Sequence, residues 1–310
     1  MRHPGLDRIL RGLADPELPA RLASGLTAAD LTTLLMAVMA ERAARTAPPD
    51  VLDRYERDRF ARPGRAPFPH LRRAEEAFIR AVPDGWDWVT PSPLVPFGTH
   101  AALGGLSQDW VVTTVRPSEV AADPTVALAL EAASRRRDTT ARRSAPSQRL
   151  AALQRITRAQ RYSSEDALVH FTLFALVTAG RSEPAGGFDA PAMLGHLAVY
   201  VAAVRNASAS RVDVVLSTSP DRTGSALRDQ IVRGLAAAEV SVADDPDRLA
   251  GQPYYTRACF KVHATLGGTK AEIADGGFTD WTERLLADRR ERLMISGAGI
   301  DRLAMISSID

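Results

Sequence analysis

Cysteine is almost absent from this chain. Cys259 stands alone among 310 residues, which excludes an internal disulfide and leaves no Cys/His spacing of the zinc-binding kind. Lysine is nearly as scarce: Lys261 and Lys270 are the only two, and arginine supplies the rest of the 39 basic side chains. Against 37 acidic residues the net charge is +2, so total charge gives no general affinity for nucleic acid or anionic membrane. No apolar run is long enough to span a bilayer, and no signal-peptide pattern opens the chain. That reads as a cytoplasmic enzyme or interaction protein. The six histidines (His3, His70, His100, His170, His196, His263) are scattered. What remains has the composition of a soluble globular chain, long enough for one large domain or two ordinary ones.

The stretch around which the rest is organised is the last quarter. It holds Tyr254-Tyr255-Thr256, then Glu272-Ile273-Ala274-Asp275-Gly276-Gly277, then Gly297-Ala298-Gly299-Ile300-Asp301-Arg302-Leu303. A glycine-punctuated apolar strand runs into a turn, and the glycines allow close approach of something to the backbone. A phosphate is one of the few anions whose oxygens match the fork of the arginine that follows. Two readings stand at this point: a site for a phosphate-bearing ligand, or a β-turn followed by a surface arginine.

Residues 1 to about 60 read as helical. Thr27 and Asp30 make an N-cap, and Leu31, Leu34, Leu35, Val38 and Met39 fall at helical spacing. Ala47-Pro48-Pro49 ends that helix, and a second one is expected from Val51 to Phe60. Arg62 to Pro69 has the composition of a linker. Residues 1–66 are therefore expected to form a helical extension used for packing or partner contact. A helix follows from His70, with Leu71, Ala74, Ala77, Phe78 and Val82 on one face. Trp86 to Pro91 and Trp110 to Val115 then read as strands, the second delivering Arg116-Pro117-Ser118-Glu119. Val126 to Arg137 reads as a helix, and Arg135-Arg136-Arg137 with Arg142-Arg143 as a solvated end or a weak nucleic-acid patch.

Arg155 to Gln160 and His170 to Val177 read as two strands joined by a polar loop, Arg161 to Asp166. Such a hairpin can hold a flat ligand, with Arg158 meeting an anion and Phe171 either stacking on a base or packing as plain core. Beyond it the pattern is helix (Ala190 to Arg205), strand (Val212 to Leu216), helix (Gly224 to Ala238) and strand.

The Thr90-Pro91 unit, the Arg158/Phe171 hairpin and the Gly297–Leu303 tail, in that order, resemble motifs 1, 2 and 3 of the class II aminoacyl-tRNA synthetases. The likeness is to the histidyl-tRNA synthetase catalytic domain, whose Tyr-Tyr-Thr segment is matched by Tyr254-Tyr255-Thr256. The resemblance implies an α/β (α+β) fold, an antiparallel sheet flanked by helices, over residues 67–310, with 182–245 as a small α/β insertion and a homodimer through motif 1. It implies ATP bound by Arg158, Gln160, Phe171, Glu272, Gly299 and Arg302, with Arg158 and Arg302 catalytic. Magnesium would be held by Glu272 or Asp275. The acid substrate would be contacted by Arg116, Ser118, Glu119, Leu173, Tyr254, Tyr255, Gly276 and Gly277.

The departures from the pattern bear on the substrate. Gln160 stands where motif 2 usually has an acid. Ala250 stands where an arginine is usual, with Arg248 nearby as a substitute. Leu173 and Val177 replace the groups that grip histidine, and an apolar pocket leaves an imidazole or ammonium unsatisfied at about 1–3 kcal/mol per missing bond. Only eight residues follow Arg302, so no anticodon-binding domain is expected, and neither is tRNA as the acceptor. Two functions are carried forward. The first is an ATP-dependent ligase that activates a carboxylic or amino acid as an acyl-adenylate and transfers it to a carrier protein or small amine. The second is a non-catalytic paralogue acting as a regulatory subunit of a partner enzyme.

Overall fold

A computed structural model of the chain describes residues 4–138, 146–160, 167–245, 247–248 and 254–306. By contact it divides into two compact units, residues 1–62 with 113–118, and residues 63–112 with 119–310. Among the described residues no helix is long and apolar enough to cross a membrane.

The first unit is helical: α1 (Pro4–Gly12), α2 (Leu18–Ser24), α3 (Ala28–Ala44) and α4 (Pro48–Arg57). Thr27 caps α3 as the sequence suggests, its hydroxyl accepting from the Asp30 amide at 3.1 Å. Proline at the head of α4 stops one helix and starts the next, because its missing N–H costs nothing in a first turn. Helices α2, α3 and α4 contain no buried residue. Their apolar side chains, Leu34, Val38 and Met39 among them, are exposed.

The second unit is built on an eight-stranded sheet. In chain order it contains α5 (Phe68–Ile79), β1 (Asp87–Trp88), β2 (Leu94–Pro96), α6 (Thr99–Gly104), β3 (Ser118–Val120), α7 (Pro124–Asp138), β4 (Gln148–Thr157) and β5 (His170–Arg181). Then come α8 (Asp189–Asn206), β6 (Arg211–Thr218), α9 (Arg222–Leu235), β7 (Ser241–Asp244), β8 (Ala258–Leu266) and β9 (Thr269–Thr279). The last elements are α10 (Trp281–Leu286), β10 (Glu291–Gly299) and α11 (Ile300–Ile306). The sheet order is β1-β4-β5-β10-β9-β8-β6-β7, antiparallel throughout except at its two edge pairs. Residues 182–245 thus add two strands and two covering helices to this sheet.

Strand β5 is buried along both faces, as a central strand must be, which explains its unbroken apolar run. One face carries α5, α8, α9 and α11 over an aromatic pile of Phe78, Phe174, Tyr200 and Phe260. Inside that core, His196 bridges strands: one ring nitrogen meets Thr178 at 3.0 Å and the other Ser296 at 2.6 Å, while the Tyr200 hydroxyl donates to Ser296 at 2.8 Å. Burial pushes the His196 pKa down to about 3, so the ring is neutral. The other face is covered by α7 and α10 around Leu150, Ala175, Val177 and Leu293. This cover is shorter than the sheet and leaves part of the face open.

Three expectations fail here. Trp110–Val115 is not a strand. A 3-10 turn takes Gln108–Trp110, and the Thr114 hydroxyl bonds Arg116 and Ser118 in a tight turn that Pro117 favours. Trp86–Pro91 shrinks to the two residues of β1, parallel to Leu150–Ala151. Within the Arg135–Arg137 run Arg137 is exposed as expected, but Arg135 and Arg136 are engaged by carboxylates. Arg136 is fully buried with both Glu291 oxygens at 2.5 and 3.2 Å, and Arg135 pairs with Glu131 and Asp87. Arg142 and Arg143 lie outside the described residues.

Candidate functional site

Alternation along the strands decides what faces the uncovered part of the sheet. Phe171 and Leu173 on β5 share a face with Ala175 and Val177, and register puts Leu173 opposite Gly299 and Ala175 opposite Gly297. A cleft of roughly 690 Å³ opens over these positions, a size suited to a small organic ligand. Its floor is glycine for a reason: a side chain added at Gly299 would meet only the Arg302 Cβ, at 3.9 Å, and would fill the cleft itself.

Arg158 follows β4 into the cleft. Its guanidinium lies over the Phe171 ring at 5.3 Å, donates to the Ala122 carbonyl at 3.0 Å and pairs with Asp123 at 3.2 Å. Asp123 also receives the Thr125 amide and hydroxyl at the start of α7. Its Asp-Pro-Thr setting is a helix-start signal, and that signal could have nominated it. Arg302 stands on α11, which leaves β10 without a loop. The helix start is tied down by Asp301, a buried side chain that accepts from the Thr172 amide at 2.6 Å. Arg302 donates to the Glu272 carbonyl at 3.1 Å, and no described carboxylate pairs with it.

The acidic groups owe their placement to a β-bulge. Ala274 pairs with Val262 but Glu272 with His263, so Ile273 is an extra residue in β9. That extra residue puts Glu272 and Asp275 on one face of the sheet, with Lys261. Glu272 pairs with Lys261 at 2.6 Å and Asp275 with Arg248 at 2.9 Å. Burial lifts the Asp275 carboxyl above its ordinary range; Arg248 pulls it back, and Glu272 and Asp123 push it further up. Among the described residues no three His, Cys, Asp or Glu side chains are grouped to hold a metal unaided. Two carboxylates beside a phosphate-sized space fit an ion of the magnesium type, which takes one or two carboxylates together with phosphate oxygens.

Aromatic side chains form another part of the lining. Tyr254 and Tyr255 pack with ring centroids 4.5 Å apart and planes tilted by 60°, and Tyr254 meets Trp281 at 6.1 Å. Burial pushes the Tyr254 hydroxyl up to about 12 and that of Tyr255 well above its ordinary value, with the Asp275 charge adding to both.

Arg158, Gln160, Phe171, Leu173, Tyr254, Tyr255, Glu272, Asp275, Gly299 and Arg302 therefore line one cleft. Five other candidates do not. Glu119 is fully buried and spends its oxygens on the Gly98 and His100 amides, the His100 ring and Gln108, all within 3.0 Å. Burial opposes its charge, but those four donors outweigh it and hold the carboxyl below its usual range. Arg116 and Ser118 belong to segment 113–118, bound up with Thr114. Gly276 and Gly277 serve packing: a Cβ at 276 would strike Ser296 at 2.4 Å, and one at 277 would strike Tyr255 at 2.6 Å. Val177 is wholly buried beneath α7. The loop 161–166 and Ala250 lie outside the described residues. Asp123, Lys261, Trp110 and Trp281 are cleft or cleft-supporting residues that sequence reasoning did not single out.

No protein-family profile matches the chain. It is 32% identical over 78 residues to the histidine–tRNA ligase of Desulfatibacillum aliphaticivorans, a match covering 25% of this chain and about one fifth (19%) of that protein's length. Among solved structures it superposes on an ATP phosphoribosyltransferase regulatory subunit/histidyl-tRNA synthetase of Bacillus halodurans with TM-score 0.64 and 13% identity, over 80% of this chain and 82% of that one. A histidine–tRNA ligase subunit of Alicyclobacillus acidocaldarius gives TM-score 0.60 at 14% identity, over 79% and 95% of the two chains. Histidyl-tRNA synthetase of Nostoc gives 0.58 at 13%, over 79% and 74%. At such identities the likeness is one of architecture: the chain has the class II aminoacyl-tRNA synthetase-like catalytic fold, in the form seen in histidyl-tRNA synthetase-like proteins.

Proposed function

We propose that the chain is an ATP-dependent ligase that activates a carboxylic or amino acid as an acyl-adenylate and hands it to an acceptor other than tRNA, a carrier protein or a small amine. The observation that carries this is Arg302: a cleft cation without a described carboxylate partner, over a floor kept clear by Gly297 and Gly299. An anionic ligand completes such a site. Phe171 offers a flat apolar face for adenine, and Arg158 beside it faces the α-phosphate. Glu272, with Asp275 behind it, would hold magnesium, which supplies charge neutralisation at the phosphate oxygens when bound.

In the first step a carboxylate oxygen attacks the α-phosphorus, the bond to the bridging oxygen breaks, and pyrophosphate leaves. Charge builds on the equatorial oxygens, and Arg158 and Arg302 would stabilise it with no protein group acting as acid or base. In the second step the acceptor's amine or thiol attacks the acyl carbon, AMP departs, and the acceptor's proton passes to solvent. A homodimer is part of this proposal. So is the grouping of residues 1–66 as an extension to a catalytic domain.

A second reading has one observation in its favour. Arg158 is engaged by Asp123 and the Ala122 carbonyl, and Gln160 stands where the resemblance expects an acid, so the cleft could bind a ligand and regulate a partner enzyme without turnover. ATP–pyrophosphate exchange with a broad panel of acids decides between them. Exchange with some acid supports the ligase. No exchange from any acid, together with no binding of ATP, sinks the ligase and favours the regulatory role.

A further inference from the structure

Helices α1 to α4 enclose almost nothing. Of the described residues up to Arg62, only Leu10 is buried. Yet α3 runs from Leu34 to Ala40 without a polar side chain, about two turns that are apolar on every side. A helix of that kind belongs inside a packed structure. Helix α4 adds a stripe of its own, because Val51, Leu52 and Tyr55 fall on one side and Asp50, Asp53 and Arg57 on the other. Ile9 and Leu13 are likewise exposed at the end of α1. A large apolar side chain offers on the order of 200 Å², so those left 36–58% exposed between Ile9 and Phe60 present roughly 1,000 Å² in all. A monomer seldom shows more than a few hundred Å² in this way, and a stable interface takes roughly 800 Å² from each partner.

What covers these helices has to be present whenever the chain is folded, since they have no core of their own to rely on. A partner met only now and then does not meet that need. A second copy does: it brings an equal apolar area in the same arrangement, and the isologous pairing that results is closed. Charge does not oppose it, for residues 4–62 carry nine arginines and nine carboxylates, interleaved along the chain. We propose that α1, α3 and α4 form the interface of a homodimer, the α3 of each copy enclosed by helices of the other. The proposal stands apart from the ligase reading. It also differs from the dimer that the resemblance implies, which would pass through the Thr90-Pro91 segment.

Sedimentation of the full chain measures the assembly, and oxidation by peroxide reads the cover. The wild-type chain should run at twice its 33.4 kDa, and Val38→Glu with Leu52→Glu should weaken the pairing at least about a hundredfold. In the wild type Met36 and Met39 should oxidise at least about tenfold more slowly than the exposed Met305, and in the variant at a rate similar to it. Should the variant's helices melt, single cysteines decide. Cys259 is buried, so a short bis-maleimide should join two chains through Leu13→Cys, Met39→Cys or Leu52→Cys, and not through Asp229→Cys on α9. A monomeric wild type overturns the proposal: with Met36 and Met39 slow the cover comes from within the chain, and with both fast the face is open to some other partner. An assembly whose mass the paired substitutions leave unchanged has its interface elsewhere and overturns it too. So does the absence of a linked pair at all three helical positions.

Discussion

The two ends of strand β10 use arginine in opposite ways. At the first, Glu291 is wholly buried against Arg136 and also takes Arg181, so charge is cancelled on the spot. At the other, Gly299 leads into Arg302, whose guanidinium, among the described residues, reaches a backbone carbonyl and no carboxylate. Between them Ser296 is locked to His196 and Tyr200. One strand thus passes from a closed ion pair, through a closed hydrogen-bond network, to an open cation. The difference lies in cover: α7 and α10 shield the start of the strand, and nothing described lies over its end except the cleft. Charge under cover is a folding matter. Charge beside a cleft is available for binding.

Breaking the covered end should cost stability and leave chemistry to fail only by unfolding. Glu291→Ala strands a fully buried guanidinium, with an expected loss of about 3–5 kcal/mol in a urea titration. A loss under 1 kcal/mol would erase the contrast. At the open end the signs reverse. Arg302→Ala should leave the unfolding midpoint in place and lower pyrophosphate exchange about a hundredfold, roughly 2.7 kcal/mol of activation free energy. Gly299→Val should also fold normally, since its backbone is unstrained and its new side chain meets little, yet weaken ATP about tenfold by occupying the cleft.

The middle of the strand is tested by pH. His196 is neutral in the fold and takes a proton in the unfolded chain below about pH 6.5. The unfolded state therefore binds more protons, and stability should fall by about 1.4 kcal/mol per unit as pH drops below 6.5. His196→Asn removes that slope, so identical slopes for the two proteins would show that the ring is not held neutral. The Glu119 carboxyl, held below its usual range, acts only further down. Its contribution is complete above about pH 4.5 and is lost as acid protonates it.

What could be read from the chain was local or strongly patterned. Thr27 with Asp30 marked α3, the paired apolar runs marked the β4–β5 hairpin, and the glycines near Arg302 marked the cleft floor. What escaped depended on distance. Arg136 looked like part of a solvated run because its partner, Glu291, is 155 residues away. Glu119 looked available because its four donors come from residues 98 to 108, beyond any local pattern. Trp110–Val115 carries strand-forming residues, but Arg116-Pro117 folds the chain back after Thr114, leaving short backbone pairings of Thr114 with Ser118 and Val112 with Val120 in place of a strand. The pairing of Arg158 with Asp123 joins two segments that only the folded sheet brings together.

One extra residue has a consequence for how this site could be lost or gained. Ile273 reverses the odd–even phase of β9, so everything before it is read out of step with everything after it. Pairing that residue in a regular ladder instead would put Glu272 opposite Ala264 and turn it into the apolar core of the other face. The acidic half of the cleft is thus encoded as much by how the strand pairs as by its composition, and closing the bulge with Ile273 kept would erase it with every charged side chain still present.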